Sequence, residues 1–381
     1  MLVRRLRTLG VRNLADAEVE LGEGVTLVRG PNGAGKTNLL EAIYVGLAGR
    51  SPRTSNDRET IAFGRPLGRV EVDVEDSRQA STPRGPDRRT FLCSIERGDE
   101  RRHQVDGQPA GPAHAELRPA LSVFMPDRLV LVKGPPAGRR AHLDRFCAAL
   151  WPARTEARRR YSRALAQRNA LLGRIRAGSA GRDSLQAWDA ELSIAGAELA
   201  AIRAEALSAL SEPFETAAGD LGLEGEAVIT YRPRSDASSA EQLAAELAER
   251  HDSDLARGFT THGPHLDEVA LDRGGRSLRR YGSQGEHRLT LLALLFAERE
   301  VLLSEDRPPP MMLLDDVTSE LDAGRRALLC ERLIAGGGQA LITATESAQL
   351  PASCPRRELA LREGRVIAGV EDAADGSAEA A

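Results

Sequence analysis

Hydrophobic and polar positions follow two different patterns along the chain, one typical of strands and one typical of helices. Short apolar runs separated by turns occupy residues 2–28, and similar runs recur at residues 70–74 and 90–95. Runs of this length are typical of β-strands. Strands are predicted again beyond residue 226, with a hairpin at Arg273, Gly274 and Gly275. We therefore expect β-sheets in the first and last parts of the chain.

The middle of the chain carries a helical pattern instead. One set of positions is spaced by three and four residues: Tyr161, Leu165, Arg168, Leu172 and Ile175. A second set has the same spacing: Leu185, Trp188, Leu192, Ala195, Leu199 and Ile202. Residues 177–181 lie between the two sets and favour a turn. The spacing predicts two antiparallel helices packed as in a coiled coil, each about 25 residues and ~40 Å long.

Composition and charge narrow the classes of protein to consider. A chain of 381 residues is long enough for two or three folding units. Its formal net charge of −4 gives no general attraction to nucleic acid, so any such site must be a local basic patch. The four cysteines form no C-x-x-C pair, and no segment reaches the roughly 18 apolar residues of a membrane span. We expect a cytoplasmic protein with reduced thiols and no membrane partner.

A glycine-rich segment supplies the first candidate chemistry. It matches the pattern G-x-x-x-x-G-K-[ST] and consists of Gly30, Pro31, Asn32, Gly33, Ala34, Gly35, Lys36 and Thr37. A predicted strand, residues 25–28, precedes it, and a predicted helix follows it with Leu39, Leu40, Ile43 and Leu47 on one face. In this order, backbone N–H groups and the helix N-terminus can bind a polyphosphate. Lys36 would reach the β- and γ-phosphates, and the Thr37 hydroxyl would bind Mg²⁺.

The alternative for this segment is an ordinary glycine turn before a helix. Lysine is rare in the chain, which has two lysines, Lys36 and Lys133, against 50 arginines. A lysine at the position that the motif requires is therefore a specific signal and not a frequent residue of this chain. The sequence predicts that the protein binds a nucleoside triphosphate.

A second apolar run ends in two carboxylates. Residues 311–314 predict a buried strand, and Asp315 and Asp316 follow it directly. In an open α/β sheet, ligands bind at the carboxyl ends of the strands. We assign Asp315 to Mg²⁺ and Asp316 to the attacking water, which it would orient or deprotonate. Apolar runs that end in aspartate are common, and the glycine-rich segment elsewhere in the chain is what favours this interpretation.

A polar helix start lies between these two segments. Ser283, Gln284 and Gly285 precede an apolar helix, and Ser283 with Glu286 fits a capping box. A plain helix cap is the alternative. However, the order of the glycine-rich loop, a helical insertion, this Ser-Gln-Gly start and the Asp-Asp pair is that of an ABC-type ATPase head. In that class the Ser-Gly signature of one subunit closes on the γ-phosphate held by the other.

The chain resembles the RecF family, bacterial recombination and gap-repair ATPases related to SMC proteins. The shared motifs occupy residues 12–14, 30–44, 49–53, 124–126, 134–136, 139–140, 143–144, 260–265, 283–285, 313–317 and 319–322. The motif Gly263, Pro264 and His265, followed by Ser-Gln-Gly and Asp-Asp-Val, is far more specific than the phosphate loop alone. The chain departs from the family at Leu266, where arginine is usual, and at Glu286-His287, which replaces two glutamines.

The resemblance implies an α/β fold, an ABC-type ATPase head interrupted by a helical, antiparallel coiled-coil-like subdomain. We place the head at residues 1–133 and 214–370, the insertion at 134–213, and a disordered acidic tail at 371–381. The implied function is ATP-dependent DNA binding in DNA replication, the response to DNA damage (SOS) and recombinational gap repair. ATP would join two copies, and slow hydrolysis would act as a switch rather than as substrate turnover. RecR is the implied partner, and RecA loading at gaps is the implied result.

A local excess of basic residues predicts where DNA binds. Residues 118–160 contain ten arginines and lysines against three acidic residues. The predicted phosphate contacts are Arg139, Arg140, Arg158, Arg159 and Arg160. A solvated helix face is the alternative for such a charge run. The 13 aromatic residues leave few stacking platforms, which favours contacts to a duplex backbone or a junction.

Two other functions remain open at this point, an SMC-type tether and the ATPase subunit of a membrane transporter. A tether needs coiled coils of hundreds of residues, whereas the predicted insertion is short. A transporter subunit usually carries Leu-Ser-Gly-Gly-Gln and a switch histidine, and the resemblance places Thr343 to Glu346 where that histidine stands. The pair His262 and His265 suggests a metal site, but Gly263 and Pro264 break any helix between them, which favours structural hydrogen bonds.

Overall fold

The computed structural model describes residues 1–76, 87–98, 101–111 and 117–370. The predicted acidic tail, residues 371–381, lies outside the described residues. The described strands are β1 Leu2–Leu9, β2 Ala17–Glu20, β3 Val25–Arg29, β4 Leu67–Asp76, β5 Asp87–Glu96, β6 Arg102–Val105, β7 Gln108–Pro109, β8 Leu121–Phe124, β9 Ala227–Arg232, β10 Glu268–Arg273, β11 Arg276–Ser277, β12 Met311–Leu314, β13 Ala340–Ala344, β14 Arg356–Arg362 and β15 Arg365–Val370. The described helices are α1 Lys36–Ala48, α2 Val130–Lys133, α3 Pro136–Leu150, α4 Thr155–Arg176, α5 Leu185–Asp220, α6 Ala240–Glu249, α7 His251–Arg257, α8 Leu278–Tyr281, α9 Gln284–Ser304 and α10 Ala323–Ala335.

The chain forms two compact units. The first unit comprises the described residues of Met1–Arg128 and Leu302–Ala381, and the second comprises Leu129–Val301. The second unit contains the whole of the predicted insertion, residues 134–213, together with β9 to β11 and α6 to α8. The division of the chain into a head and an insertion at the predicted boundaries stays a prediction.

A six-stranded sheet in the first unit has the order β15-β14-β3-β13-β12-β8. All neighbouring pairs from β14 to β8 are parallel, and β15 adds an antiparallel edge. Every residue of β12 and β13 is buried, as expected for strands that are covered on both faces. The predicted strand at residues 311–314 is therefore confirmed. Because β3, β13 and β12 are parallel neighbours, the residues that follow each of them share one edge of the sheet.

The second sheet of the first unit is antiparallel, with the order β2-β1-β4-β5-β6-β7. Side chains of α1, β4 and β5 share one hydrophobic core with the parallel sheet. Gly46 of α1 faces β4 so closely that a Cβ atom would overlap the Val72 side chain. The amide of Gln339, just before β13, accepts from the Val3 N–H at 2.8 Å and donates to the Val3 carbonyl at 2.7 Å. These two bonds join the two sheets at the bulge between Val3 and Arg5 in β1.

The second unit contains the predicted helical hairpin. Helix α4 has 22 residues, α5 has 36, and they pack together through a core that includes Tyr161, Leu192 and Leu199. Two antiparallel helices with a break at residues 177–181 are thus confirmed, but α5 is longer than predicted. It continues through Pro213 to Asp220 because Phe214, Ala217 and Ala218 beyond the proline are completely buried. Burial of these side chains offsets the roughly 3 kcal/mol cost of an interior proline.

A buried ion network fixes the hairpin to α7. Arg168, one of the positions in the predicted helical pattern, is completely buried, and its guanidinium donates to Asp189 at 2.7 Å and to Asp254 at 2.6 Å. The network explains why a charged residue stands in an apolar stripe. The remaining sheet of the unit, β11-β10-β9, contains the predicted hairpin, since Arg273 pairs with Arg276 across two glycines with positive φ.

Candidate functional site

The glycine-rich segment forms the turn between β3 and α1. Gly33 and Gly35 have φ values of 80° and 105°, which favour glycine over residues with a Cβ atom. Gly30 is required for a different reason, since a Cβ atom there would overlap the Leu361 carbonyl oxygen of β14. Helix α1 begins at Lys36, so the N–H groups of its first turn have no partner within the helix. This is the strand, loop and helix order that the sequence predicts.

Polar side chains from other segments hold this loop in place, and sequence analysis assigned none of them. Asn13 donates through Nδ2 to the Gly33 carbonyl at 2.9 Å, and Asn38 donates to Asn13 Oδ1 at 2.7 Å. Arg12 precedes Asn13 with a φ of 48° and donates two hydrogen bonds to the Glu41 carboxylate, at 3.0 and 2.8 Å. These residues lie in the RecF-family motifs at residues 12–14 and 30–44, which were the sequence signal that could have identified them.

Glu41 is a buried charge behind the loop. It is 1% exposed, and it also accepts from Ser51 at 2.6 Å and from Arg53 at 3.0 Å. Burial alone would raise the pKa of Glu41, but the hydrogen bonds from Arg12 and Ser51 outweigh it, so the pKa is lowered. The carboxylate is therefore ionised and anchors three side chains against the first turns of α1.

The Lys36 ammonium lies over the loop. Its Nζ donates to the carbonyl oxygens of Gly30 at 2.7 Å and of Pro31 at 3.1 Å. An ammonium has three donors, so one remains for a further acceptor. Burial lowers the pKa of Lys36, while the charges of Asp315 and Asp316 act in the opposite direction. The two carboxylates at the end of β12 are thus electrostatic neighbours of the loop lysine.

Asp315 contacts the first turn of α1 directly. The Thr37 hydroxyl donates to the Asp315 carboxylate, with distances of 3.0 and 2.9 Å to its two oxygens. Thr343 of β13 donates to Asp315 Oδ1 at 2.8 Å and accepts from the Asp316 N–H at 2.8 Å. Burial raises the pKa of Asp315, and the hydrogen bonds from Thr343 and Thr37 oppose this. The structure thus brings the loop and the aspartate pair together at one sheet edge.

Asp316 has an unusual backbone conformation. Its φ of 50° and ψ of 36° lie in the left-handed region, directly after the buried strand β12. Such a conformation costs a residue with a Cβ atom about 1–2 kcal/mol. The chain turns sharply here into a short 3₁₀-helix, Val317–Glu320. Strained residues that persist in a fold are concentrated at functional sites, which is consistent with the chemical role assigned to Asp316.

The donor atoms fit Mg²⁺. A hydroxyl and a carboxylate supply only oxygen, which suits a hard cation, and Mg²⁺ commonly uses one or two protein ligands plus water and phosphate oxygens. Among the described residues, no group of three or more histidine, cysteine, aspartate or glutamate side chains could hold a metal ion. The four cysteines are buried and free. The site therefore has the few oxygen ligands expected when a nucleotide completes the coordination.

The predicted signature residues lie in the second unit. Ser283 accepts from the Glu286 N–H at 3.2 Å, and Glu286 accepts from the Ser283 N–H at 2.6 Å. The capping box is therefore confirmed, and α9 begins at Gln284. The hydrogen bond from the Ser283 N–H lowers the pKa of Glu286. Ser283, Gln284 and Gly285 are all exposed, so the helix start is open to a partner molecule.

The predicted DNA-contact residues differ in their surroundings. Arg139 is 6% exposed, and its guanidinium donates to Glu268 at 2.8 Å and to the backbone carbonyls of Leu131, Val132 and Gly134. Arg139 is thus a buried structural residue, and its assignment to DNA is corrected: a count of charges along the sequence does not reveal burial. Arg140 is half-buried and donates to the Asp267 carbonyl at 2.6 Å.

The other three predicted contacts lie on α4. Arg158 and Arg159 are exposed and Arg160 is half-buried. Each has an acidic neighbour: Asp144 for Arg158 at 2.9 Å, Glu156 for Arg159 at 3.5 Å, and Glu198 for Arg160 at 3.4 Å. Both residues of each ion pair belong to the second unit. The acidic partners therefore neutralise part of the positive charge of this helix.

The two histidines of the 260–265 motif make structural hydrogen bonds. His265 Nε2 donates to the Thr260 carbonyl at 3.0 Å, so Nδ1 accepts from the Tyr161 hydroxyl at 2.7 Å. Burial lowers the pKa of His265, which favours this neutral form. His262 pairs with Glu246. Gly263 has a φ of 121°, and a Cβ atom there would lie 2.8 Å from the Tyr161 hydroxyl.

Comparison with known proteins agrees with the geometry. A family model described as the RecF/RecN/SMC N terminal domain matches residues 2–356. The DNA replication and repair protein RecF of Anaeromyxobacter sp. (strain Fw109-5) is 36% identical over 93% of this chain and 96% of its own length. RecF of Deinococcus radiodurans is 37% identical over 90% of each chain. None of the described helices is both long and apolar enough to cross a membrane.

Solved structures give the same result. The recombination mediator protein RecF with ATP, from the RecFOR pathway, matches with a TM-score of 0.83 and 26% identity over 96% of this chain and 97% of its own. An SMC head bound to the C-terminal winged-helix domain of ScpA matches with a TM-score of 0.59 and 16% identity over 97% of this chain and 98% of its own, a likeness of fold alone. The expected α/β fold of an ABC-type ATPase head is confirmed, and the chain belongs to the RecF family of DNA replication and repair proteins.

Proposed function

We propose that this protein is an ATP-dependent DNA-binding protein of recombinational gap repair, in which ATP joins two copies and slow hydrolysis separates them. One observation carries the proposal: the loop lysine, the Thr37 hydroxyl and the Asp315 carboxylate converge at one edge of the parallel sheet. This is the arrangement that binds a nucleoside triphosphate with Mg²⁺.

Nucleotide binding follows from the loop. The backbone N–H groups of residues 33–37 and the N-terminus of α1 provide positive potential for phosphate oxygens. Lys36 would exchange its loop carbonyl acceptors for β- and γ-phosphate oxygens. Asn13 would keep the loop in its binding conformation because it donates to the Gly33 carbonyl, and Asn38 would hold Asn13 in place by donating to its Oδ1.

Hydrolysis requires the two aspartates in different roles. Thr37 and Asp315 would hold Mg²⁺, which supplies charge neutralisation for the transferring phosphoryl group. Asp316 would orient the attacking water and accept its proton. Asp315 is held by hydrogen bonds from Thr37 and Thr343, whereas Asp316 follows it at a left-handed turn. Such a switch needs only slow ATP hydrolysis, because hydrolysis serves to end the ATP-bound dimer and not to supply a product.

The signature residues would act between two copies. Ser283 already caps α9, and its exposed helix start offers N–H groups to an anion. In the proposed dimer, Ser283, Gln284 and Gly285 of one copy bind the γ-phosphate held by the loop of the other. ATP would thus complete the interface, and its hydrolysis would remove the shared group.

We assign DNA binding to the exposed arginines of α4. Arg158 and Arg159 have side chains that are 57% and 48% exposed. Glu156, the partner of Arg159, is exposed as well, and ion pairs between two exposed side chains are worth roughly 0–1 kcal/mol, so a phosphate can replace Glu156 at small cost. Asp144, the partner of Arg158, is buried and also binds Arg203, which leaves the exposed Arg158 side chain able to turn to a phosphate without leaving that carboxylate unpaired. Dimerisation would bring two such surfaces to one DNA molecule and raise the affinity through shared attachment. RecR is the proposed protein partner, with RecA loading at gaps as the result.

The helix lengths disfavour a tether. At about 1.5 Å per residue, the 22 residues of α4 and the 36 of α5 span ~33 and ~54 Å. An SMC-type tether needs hundreds of residues in such helices. The other alternative, the ATPase subunit of a transporter, is not favoured, because the chain belongs to the RecF family of DNA replication and repair proteins.

The deciding experiment measures DNA affinity with ATP, with ADP and without nucleotide. Fluorescence anisotropy of a labelled gapped duplex would be followed for the wild type and for Lys36→Ala. We expect ATP to increase the affinity of the wild type, and to have no effect on the variant, because the loop would no longer hold the triphosphate. Binding that is the same in all three nucleotide states would refute the ATP-gated function, and absence of DNA binding in every state would refute the proposed DNA binding.

A further inference from the structure

The hydroxyl of Thr343 lies between the two aspartates of the site. Thr343 stands in β13 and its side chain is completely buried. Its Oγ1 donates to Asp315 Oδ1 at 2.8 Å and accepts from the Asp316 N–H at 2.8 Å. A hydroxyl has one proton, so the direction of both bonds is determined once it donates to the carboxylate. One side chain therefore contacts the functional group of Asp315 and the backbone of Asp316.

Burial alone does not require this arrangement. Thr26 of β3 is just as buried, and its Oγ1 has no hydrogen-bond partner among the described residues. The fold thus tolerates a threonine hydroxyl in this sheet without a partner. At Thr343 the hydroxyl instead makes two bonds, both to residues that follow β12. The contacts are specific to the aspartate pair.

We propose that Thr343 is a positioning residue for Mg²⁺-dependent ATP hydrolysis, an inference that rests on the function proposed above. By donating to Oδ1, it fixes the carboxylate of Asp315 beside the Thr37 hydroxyl. By accepting from the Asp316 N–H, it holds the left-handed turn from which the Asp316 side chain projects. Thr343 itself touches neither nucleotide nor water in this account. It acts through the two aspartates.

Removal of the hydroxyl has two separable consequences. In Thr343→Val the shape is kept, but Asp315 loses one of its two hydroxyl donors and the Asp316 N–H loses its acceptor. Loss of a hydrogen bond behind a metal ligand typically lowers metal affinity or activity about 10–100-fold. We expect the Mg²⁺ concentration for half-saturation to rise by about 10-fold or more, and the rate at saturating Mg²⁺ to fall as well. Nucleotide affinity without Mg²⁺ should not change, since the loop and Lys36 are intact.

The test combines a binding readout with a rate. The affinity for a fluorescent N-methylanthraniloyl ATP would be measured in EDTA and over a Mg²⁺ titration, and hydrolysis would be followed at saturating Mg²⁺. Thr343→Ser restores the hydroxyl and should recover both the Mg²⁺ dependence and the rate. Thr26→Val removes an equally buried hydroxyl from a neighbouring strand and should behave as wild type. Thermal unfolding shows which variants are folded, and Thr343→Ala replaces Thr343→Val if the latter does not fold.

The outcomes distinguish this inference from the proposed function. If the wild type shows no Mg²⁺-dependent nucleotide binding, both are overturned. If the wild type responds to Mg²⁺ and Thr343→Val responds in the same way, only the role of Thr343 is overturned. A serine variant as defective as the valine variant would also overturn it, because the hydroxyl would then not be the cause.

Discussion

Replacement of two glycines of the phosphate-binding loop by alanine, one at a time, should have different effects: one variant should lose nucleotide affinity and the other should lose stability. Gly33 has a φ of 80°, but apart from its two chain neighbours no residue has an atom within 4 Å of the position of an added Cβ atom. At Gly30 the added Cβ atom would overlap the Leu361 carbonyl oxygen. That carbonyl belongs to β14, which is paired in register with β3, so it cannot move without disturbing the sheet.

The structure sets the expected magnitudes. An alanine at Gly33 can relax out of the left-handed region when no nucleotide is bound, and must return to it on binding. The return costs about 1–2 kcal/mol, which raises the dissociation constant roughly 5–30-fold with little change in melting temperature. Gly30→Ala cannot relax, and overpacking of this kind costs about 1–3 kcal/mol. For a unit of this size, that cost lowers the melting temperature by roughly 2–12 °C.

The assay pairs nucleotide titration with scanning calorimetry. Gly64→Ala is the matched control, because Gly64 has a φ of 77° and equally open surroundings in a different turn. Its alanine variant should bind nucleotide as the wild type does. The reasoning is refuted if Gly33→Ala loses no more affinity than Gly64→Ala, or if Gly30→Ala melts at the wild-type temperature.

Three further variants test the roles assigned to Asp316, to Ser283 and to the arginines of α4. Asp316→Asn should bind ATP but not hydrolyse it, because the general base is lost. An ATP-bound dimer should then accumulate and be detected by gel filtration. A normal hydrolysis rate would show that another residue is the general base. Ser283→Arg should keep nucleotide affinity but abolish ATP-induced dimerisation, since the bulky arginine would fill the helix start that faces the phosphate held by the other copy. Loss of nucleotide binding by the monomer would indicate that Ser283 acts on the nucleotide within its own copy. Replacement of Arg158, Arg159 and Arg160 by glutamate should weaken duplex binding. It should also flatten the plot of log affinity against log salt by ~0.9 per lost phosphate contact. An unchanged slope would show that these residues form only a solvated helix face.

The parts of the site that depend on local sequence could be predicted. The loop and the strand before Asp315 are encoded by consecutive residues, whose pattern specifies both the backbone and the burial. The capping box of Ser283 and Glu286 spans four positions and was equally accessible. The hairpin at residues 273–276 follows from two adjacent glycines.

The remaining parts depend on tertiary contacts. Thr343 is an inconspicuous polar residue in an apolar strand, and only the parallel pairing of β13 with β12 brings it to the aspartates. Asn13 reaches Gly33 across 20 positions of chain. Arg139 carries the same charge as its neighbour Arg140, and nothing local distinguishes the buried side chain from the half-buried one. The continuation of α5 through Pro213 likewise follows from the burial of Phe214 and its neighbours rather than from helix propensity.

The mass of the protein in solution tests the central claim most directly. Sedimentation velocity would be recorded with ATP, with ADP and without nucleotide for the wild type, Lys36→Ala and Lys133→Ala. Lys133 is the other lysine of the chain and is exposed, so its variant controls for the loss of a lysine charge. We predict a dimer only with ATP, retained in Lys133→Ala and lost in Lys36→Ala. A wild type with the same mass in all three nucleotide states would contradict an ATP-driven switch.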